Sequence, residues 1–122
     1  MPIAVVDTSA LGALVFGEPE AESVARKMTG FTLIAPNLLW YELASVCLKK
    51  IKHYPEKTSD ILNAFQLAAN LQIELVDVDH SAIVVLAQET SLTSYDAAYL
   101  WLSRECRGVL ITLDKQLKKF TH

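Results

Sequence analysis

The sequence lacks the features that mark disulfide-stabilised, secreted or membrane-spanning proteins. Its 122 residues include two cysteines, Cys47 and Cys106, far apart in helix-like segments. Cysteines placed in this way are typical of reduced core thiols and not of a disulfide or a metal pair. The uncharged run from Phe31 to Tyr41 contains Pro36 and is too short to cross a bilayer. The N-terminal stretch MPIAVVDTSA has no basic segment before an apolar one, so we expect no secretory signal and a cytoplasmic protein.

Charge is also scarce, and it has no basic excess. Charged residues make up 20% of the chain and hydrophobic residues 52%, and the formal net charge is −3 at pH 7. This balance argues against a generally basic nucleic-acid binder, and it leaves apolar surface for a protein partner. A chain of this length buries a sizeable core without disulfides, so we predict a single domain over residues 1–122.

Short apolar segments rich in β-branched residues alternate with longer helical patterns. The predicted strands are residues 3–7, 32–35, 73–78 and 109–114. The predicted helices are residues 8–16, 18–28, 37–51, 55–71 and 80–90, with a last one from Ser94 onward. Continuous apolar strands separated by helices predict an α/β fold with a parallel sheet that helices cover on both faces.

Four acidic residues from distant segments are predicted at one edge of this sheet. Asp7 closes the first strand, Asp114 closes the fourth, and Asp96 begins the helix before the fourth strand. Glu42 interrupts the apolar stripe of its helix and has no Lys or Arg three or four residues away. Because ligands of open parallel sheets bind beyond the carboxyl ends of the strands, we expect these carboxylates around one site.

Each acid taken alone has a simpler explanation. Strand-end solvation accounts for Asp7 and Asp114, and a surface position accounts for Glu42. Asp96 would stabilise the start of a helix that Ser94 caps. Together, however, the acids would repel one another, so a cation is expected among them, and hard oxygen ligands suit Mg²⁺ or Mn²⁺. The leading hypothesis is therefore metal-assisted hydrolysis of a phosphodiester.

These segments resemble the signatures of a known family. The stretches VVDTSAL, NLLWYELASVCLKK, SLTSYDAAYLWL and LITLD occur in the order typical of a PIN domain, and the chain is most similar to the compact VapC-type toxins of prokaryotic toxin–antitoxin pairs. The resemblance implies a three-layer α/β/α sandwich whose parallel sheet has about four strands in the order 3-2-1-4. It also implies an Mg²⁺- or Mn²⁺-dependent endoribonuclease that cleaves RNA, binds a small antitoxin protein and forms a homodimer.

The resemblance assigns roles to individual positions. The acidic metal-binding positions of the family correspond to Asp7, Glu42, Asp96 and Asp114. The polar positions that support those acids correspond to Thr8, Ser9 and Thr112. Many relatives carry a further acid directly after the fourth one, where this chain has Lys115 and Gln116. We therefore expect a second metal to bind weakly or only with substrate.

Two further sets of residues are candidates for binding. An acidic chain must supply cations locally for RNA phosphates, and the favoured ones follow the fourth acid: Lys115, Lys118 and Lys119. A second lysine group is explained equally well by a helix C-terminus: Lys49, Lys50, Lys52 and Lys57. Core burial is the default for an early apolar stripe, although the VapC resemblance implies that some of it contacts an antitoxin: Leu11, Leu14, Val15 and Phe16. Core packing is also expected of the aromatic residues Trp40, Tyr41, Tyr95, Tyr99 and Trp101.

Other functions remain open at the level of sequence. A PIN nuclease could act in RNA processing without a toxin role. A phosphoacceptor signalling domain is also α/β with acids at strand ends, but it would need an acidic pair at the first strand, and Asp7 has no acidic neighbour. A catalytically silent binding module would have no need for all four acids. Metal-dependent RNA cleavage separates the nucleases from the other two.

Overall fold

Four parallel strands form the centre of the structure, a computed structural model that describes residues 1–121. The strands are β1 (Ile3–Val6), β2 (Thr32–Pro36), β3 (Ile73–Val76) and β4 (Val109–Ile111). They lie in the order β3-β2-β1-β4, and every neighbouring pair is parallel. Val5 of β1 is paired with Ile34 on one side and Leu110 on the other. This arrangement confirms the predicted fold class and strand order.

Helices connect the strands and cover the sheet, which gives three layers. The described residues form α1 (Thr8–Val15), α2 (Ala21–Met28), α3 (Leu39–His53), α4 (Thr58–Ala68), α5 (His80–Thr90), α6 (Ser94–Glu105) and the short α7 (Lys115–Lys118), with a 3₁₀ turn at Pro55–Lys57. The α6 helix packs against three of the strands, β1, β2 and β4, and α5 packs mainly on α6. None of the helices in residues 1–121 is long and apolar enough to span a bilayer.

One part of the core lies between the buried strand β1 and the small side chains of α6, and another is formed by buried residues of α1, α2 and α3. Ala4, Val5 and Val6 are completely buried, and Ala97 and Ala98 are buried on α6. Small side chains on the helix let it approach the sheet closely, so the position of α6 relative to β1 is tightly fixed. The start of α6 is thereby placed at the carboxyl end of β1.

Several element boundaries differ from the predicted ones. The fourth strand was expected to reach Asp114 but ends at Ile111. It ends there because the Thr112 hydroxyl accepts from the backbone N–H of Asp114 and the chain turns at this point into α7. The third strand ends at Val76. The long helix begins at Leu39 and not at residue 37, so Glu42 lies in its first turn. The N-cap of α6 is Thr93 and not Ser94, since the Thr93 side chain accepts from the backbone N–H of Asp96.

The aromatic residues divide between core and surface. Tyr99 is buried, and Trp40 and Trp101 are partly buried against the core, as predicted. Tyr41 and Tyr95 are 83% and 60% exposed, so the prediction of core packing is wrong for these two. Both lie on the solvent side of helices whose opposite faces pack on the core.

The thiols of Cys47, buried, and Cys106, partly buried, are both free.

Candidate active site

The four predicted acids all line one cleft at the carboxyl edge of the sheet. The cleft has a volume of about 420 Å³ and is lined by Asp7, Glu42, Asp96 and Asp114 together with Thr8, Ser9 and Tyr99. Each acid lies at the beginning of a helix: Asp7 caps α1, Asp114 caps α7, and Glu42 and Asp96 are in the first turns of α3 and α6. Helix N-termini carry partial positive charge, which favours carboxylates at these positions. The fold therefore brings four distant segments to one place.

Asp7 is the most firmly held of the acids. It follows β1 and is only 3% exposed. One carboxylate oxygen, Oδ1, accepts from the Ser9 hydroxyl at 2.8 Å and from the backbone N–H of Ala10 at 3.0 Å. The other, Oδ2, accepts from the Thr112 hydroxyl at 2.6 Å. Burial raises the pKa of Asp7 above its ordinary value, although these hydrogen bonds oppose the shift.

Ser9 and Thr112 join the first strand to the fourth through this carboxylate. The Ser9 hydroxyl also accepts from the backbone N–H of Leu113 at 2.9 Å, and the Thr112 hydroxyl accepts from that of Asp114 at 3.0 Å. Both side chains thus fix Asp7 and the segment that leads to Asp114. Such supporting hydrogen bonds set the orientation of groups that act on a ligand.

Glu42 is held by two hydroxyl groups. Its Oε1 accepts from Thr8 at 3.0 Å and from Tyr99 at 2.7 Å, and the two hydroxyl oxygens are themselves 3.0 Å apart. Tyr99 is 1% exposed, and its burial raises the pKa of the phenol well above the ordinary value, so the phenol stays protonated and donates. From the sequence pattern, Tyr99 is predicted only as a core residue. Its position three residues after Asp96, on the same side of α6, is the signal that could have placed it at the site.

Asp96 and Asp114 have carboxylate oxygens that are less engaged. Within residues 1–121 the Asp96 carboxylate accepts no hydrogen bond, and Asp114 accepts one, to Oδ1 from the backbone N–H of Leu117 at 2.9 Å. Partial burial raises the pKa of Asp96, and the negative charges of Asp114 and Glu42 raise it further. These oxygens are the ones available to a ligand.

The cleft is negative throughout. Glu18 and Glu20 also contribute to its lining, which includes no Lys or Arg side chain within the described residues. Glu18 is paired outside the lining with Lys50 at 2.8 Å. Carboxylates gathered in this way favour a positively charged ligand over an anionic one.

The donor set suits a divalent cation held partly through water. Among residues 1–121, no three acidic, His or Cys side chains are grouped closely enough to hold one ion as they stand. The convergence of Asp7, Asp96 and Asp114 on a single ion, as predicted from the sequence, is therefore not present in this arrangement of side chains. Mg²⁺ commonly binds through one or two carboxylates and keeps several waters, and the unengaged oxygens of Asp96, Asp114 and Glu42 fit that mode.

The remaining predicted residues lie outside the cleft. Lys115, Lys118 and Lys119 are exposed on α7 and after it, and none of them lines the acidic cleft. Leu11 is completely buried, whereas the other members of its stripe, Leu14, Val15 and Phe16, are partly exposed. Leu11 thus follows the default of core burial and offers no surface to a partner.

Comparison with known proteins identifies the family. A family model described as the PIN domain matches residues 4–122, which is nearly the whole chain. The chain belongs to the PIN-domain family. PIN domains are nucleases, so this chain is placed among hydrolases that act on phosphodiester bonds. No curated protein matches the sequence.

Solved PIN-domain structures have the same fold. PAE2754 from Pyrobaculum aerophilum is 24% identical in sequence to this chain, with a TM-score of 0.77. The match covers 98% of this chain and 85% of PAE2754. VapC20 from Mycobacterium tuberculosis, described as a sarcin-ricin loop cleaving toxin, is 13% identical with a TM-score of 0.69. That match covers 95% of this chain and 93% of VapC20. At these identities the likeness concerns the fold.

Proposed function

We propose that this PIN domain is a Mg²⁺- or Mn²⁺-dependent endoribonuclease that acts in the cytoplasm as the toxin of a type II toxin–antitoxin pair. The observation that carries the nuclease part is the cleft in which Asp7, Glu42, Asp96 and Asp114 come together without a cation from the protein. Carboxylates that lie so close together without a basic partner are expected to bind a metal ion when the protein is active.

The chain's own residues would divide the work of hydrolysis. Asp96 and Asp114 have unengaged oxygens that would hold a divalent cation, and Asp7 completes the negative environment from a fixed position. When bound, the ion neutralises charge on the scissile phosphate and makes water a stronger nucleophile near neutral pH. Glu42, held by Thr8 and Tyr99, presents its other carboxylate oxygen to orient a water molecule.

The toxin role and the antitoxin partner are supported by a groove on a different face. It lies between the ends of α1 and α3 and the helix α4 and has a volume of about 400 Å³. Its apolar lining is Val15, Phe16, Tyr54, Ile61 and Ala64, and its charged lining is Lys50, Lys57 and Asp60. An apolar groove of this kind accepts large side chains of a partner segment. Two of the predicted antitoxin-binding residues, Val15 and Phe16, form part of it, and Leu14 is partly exposed in the same helix.

A homodimer is proposed from apolar side chains that remain exposed on two helices. They are Tyr41 and Leu48 on α3 and Val84 and Val85 on α5. Exposed apolar residues grouped on helix faces are common where protein partners meet.

A PIN nuclease that processes RNA without a toxin role is the alternative, and it shares the same cleft and the same chemistry.

The nuclease activity is tested by comparing two matched substitutions. Asp96 and Asp60 are each the third residue of a helix, α6 and α4, but only Asp96 lines the cleft. We expect Asp96→Asn to reduce Mg²⁺-dependent RNA cleavage by at least about 100-fold and Asp60→Asn to leave it near the parent rate. Cleavage of labelled RNA is followed with Mg²⁺, with Mn²⁺ and with a chelator. Equal activity of the two variants, or cleavage that survives the chelator, would refute the proposal.

A further inference from the structure

A second groove, with cationic walls, runs along the outer strand β4 beside the acidic cleft. Arg26 and Lys27 contribute from the end of α2, and Lys118 contributes from α7. The groove has a volume of about 580 Å³, and no acidic side chain is among its described lining residues. Its charge is therefore opposite in sign to that of the cleft.

These three cations are available to a ligand. All three side chains are exposed, and in the described part of the chain the one ion pair joins Lys50 to Glu18 elsewhere. Cations at a helix C-terminus have a simpler explanation, because they complement the helix dipole, and this applies to Arg26 and Lys27. It does not explain why Lys118, about 90 residues later in the chain, reaches the same groove.

Apolar side chains and hydroxyl groups also line the groove. Phe31 and Val109 are accessible apolar parts of this lining, and Thr29 and Thr121 add hydroxyls. Cations bind phosphates, whereas an apolar surface accepts the face of a base that is not stacked in a duplex. The combination suits a single-stranded nucleic acid better than a double helix or a free anion.

Among residues 1–121 the groove and the acidic cleft share no lining residue, but they are adjacent along the chain where β4 ends. Thr112 lines the groove, and its hydroxyl donates to Asp7 inside the cleft at 2.6 Å. The next two residues, Leu113 and Asp114, line the cleft. Because two residues span at most about 7 Å, one strand of RNA can lie across both sites.

We propose that the groove formed by Arg26, Lys27 and Lys118 binds the phosphate backbone of single-stranded RNA next to the bond that is cut in the acidic cleft. The inference rests on the proposed ribonuclease function and adds the path of the substrate. It also reduces the three lysines predicted to bind RNA phosphates to one, Lys118, which lines the groove. Lys119 donates instead to Gln116, and Lys115 is not part of the lining.

The test compares two triple variants that remove the same charge. The groove variant is Arg26→Gln/Lys27→Gln/Lys118→Gln. The control is Lys49→Gln/Lys52→Gln/Arg104→Gln, which alters one arginine and two lysines that are exposed at the ends of α6 and α3. Binding of a labelled RNA of about 12 nucleotides is measured by anisotropy over a salt series with a chelator present, so that binding is read without cleavage. The kcat/KM is then measured with Mg²⁺ for this RNA and for one of about 3 nucleotides.

We expect the groove variant to bind the long RNA about tenfold more weakly or worse, with a salt dependence reduced by roughly 2 in log–log slope. Its kcat/KM should fall for the long RNA and stay near the parent value for the short one, because the short RNA occupies only the cleft. The control should resemble the parent in each measurement.

Other results would overturn the inference. Unchanged RNA binding by the groove variant, or equal weakening in both variants, would show that the groove has no specific part in RNA binding. A change in sedimentation without a change in RNA binding would instead identify the groove as a contact between protein chains. If the parent binds RNA through the groove but cuts neither RNA, the proposed nuclease function fails while the binding site stands.

Discussion

Asp7 illustrates how one side chain serves both the fold and the site. It ends the buried strand β1, caps α1 through the backbone N–H of Ala10, and accepts from Thr112 beyond β4. Hydrogen bonds from neutral donors to a buried carboxylate offset part of the cost of its burial. The hydrogen bonds from Ser9, Ala10 and Thr112 leave the carboxylate in a fixed orientation in the cleft.

Tyr99 provides a test of how Glu42 is held. Tyr99→Phe keeps the buried ring and removes only the hydroxyl that donates to Glu42 at 2.7 Å. We expect the free energy of unfolding to fall by about 1 kcal/mol. We also expect the Mg²⁺ affinity or the rate of RNA cleavage to fall roughly 10–100-fold, as for other residues that orient a metal-binding carboxylate. Denaturant unfolding, calorimetric Mg²⁺ titration and cleavage assays measure the three quantities.

Tyr95→Phe is the matched control for this substitution, since Tyr95 is in the same helix but 60% exposed. It should have little effect on any of the three measurements. If Tyr99→Phe loses stability yet binds Mg²⁺ and cuts RNA as the parent does, the hydroxyl has a structural role only.

At the scale of elements, the site depends on where helices begin. The sequence pattern located Asp7, Asp96 and Asp114 near strand ends and helix starts because those signals are local. It placed Glu42 further into its helix, because that helix begins two residues later than predicted. It placed the N-cap of α6 at Ser94, since Ser and Thr are both good caps. The extended backbone of Thr93 decides between them, and this conformation depends on the preceding turn. It also continued β4 to Asp114, because the role of Thr112 depends on Asp7, 105 residues earlier.

The contacts that sequence reasoning could not predict are those between distant segments. The bond from Tyr99 to Glu42 joins residues 57 apart in sequence, and the β4 groove brings Lys118 to Arg26 and Lys27. Helical spacing from Asp96 could have placed Tyr99 at the site, but no periodicity or cap signal identifies the distant partner in either pair. They follow only from the order of strands in the sheet and from the side chains that the fold brings together.

Gly108 tests how the fourth strand is positioned next to the first. A Cβ added at Gly108 would lie 2.8 Å from the backbone oxygen of Ile3 and 3.1 Å from the Cys106 sulfur. Because a backbone atom cannot move aside cheaply, we expect Gly108→Ala to destabilise the fold by about 1–3 kcal/mol. Urea unfolding of the variant and the parent measures this difference.

Gly12→Ala serves as the control, because its added Cβ would meet only side chains, at 3.8 Å and 3.9 Å, within a helix. Replacing a helical glycine by alanine should leave the protein equally stable or more stable by about 0.5–1 kcal/mol. A Gly108→Ala protein as stable as the parent would show that β1 and β4 are not packed as closely as described.

At the scale of the whole molecule, charge is separated by sign between the cleft at the carboxyl edge of the sheet and the groove along β4. The net charge is only −3, yet acids line the cleft and three cations line the neighbouring groove. This separation of charge favours a ligand that brings a cation to the cleft and a polyanion to the groove. A complex of RNA with a divalent ion meets both.

The acids of the cleft also predict how stability depends on pH without metal. The folded-state pKa values of Asp7 and Asp96 are raised, by burial first and then by neighbouring negative charge. The folded state therefore holds these protons more tightly than the unfolded state. Their contribution to stability is complete below the ordinary pKa of about 4 and is lost as pH rises through the raised values.

Urea unfolding in chelator between about pH 4.5 and 7.5 measures this dependence. The parent should lose stability across the lower part of the range relative to Asp96→Asn, in which one of the two groups no longer titrates. Parallel pH profiles for the two proteins would show that Asp96 ionises as freely in the folded state as in the unfolded one.

The most direct test of the central claim, that the acidic cleft binds a divalent ion, is the melting temperature of three proteins with and without Mg²⁺. A ligand that binds only the folded state raises its melting temperature by mass action. We predict that Mg²⁺ raises the Tm of the parent and of Asp60→Asn equally and that of Asp96→Asn much less. Without metal, Asp96→Asn should be at least as stable as the parent, because one repelling charge has been removed. An equal Mg²⁺ response in all three proteins, or none in the parent, would contradict the claim.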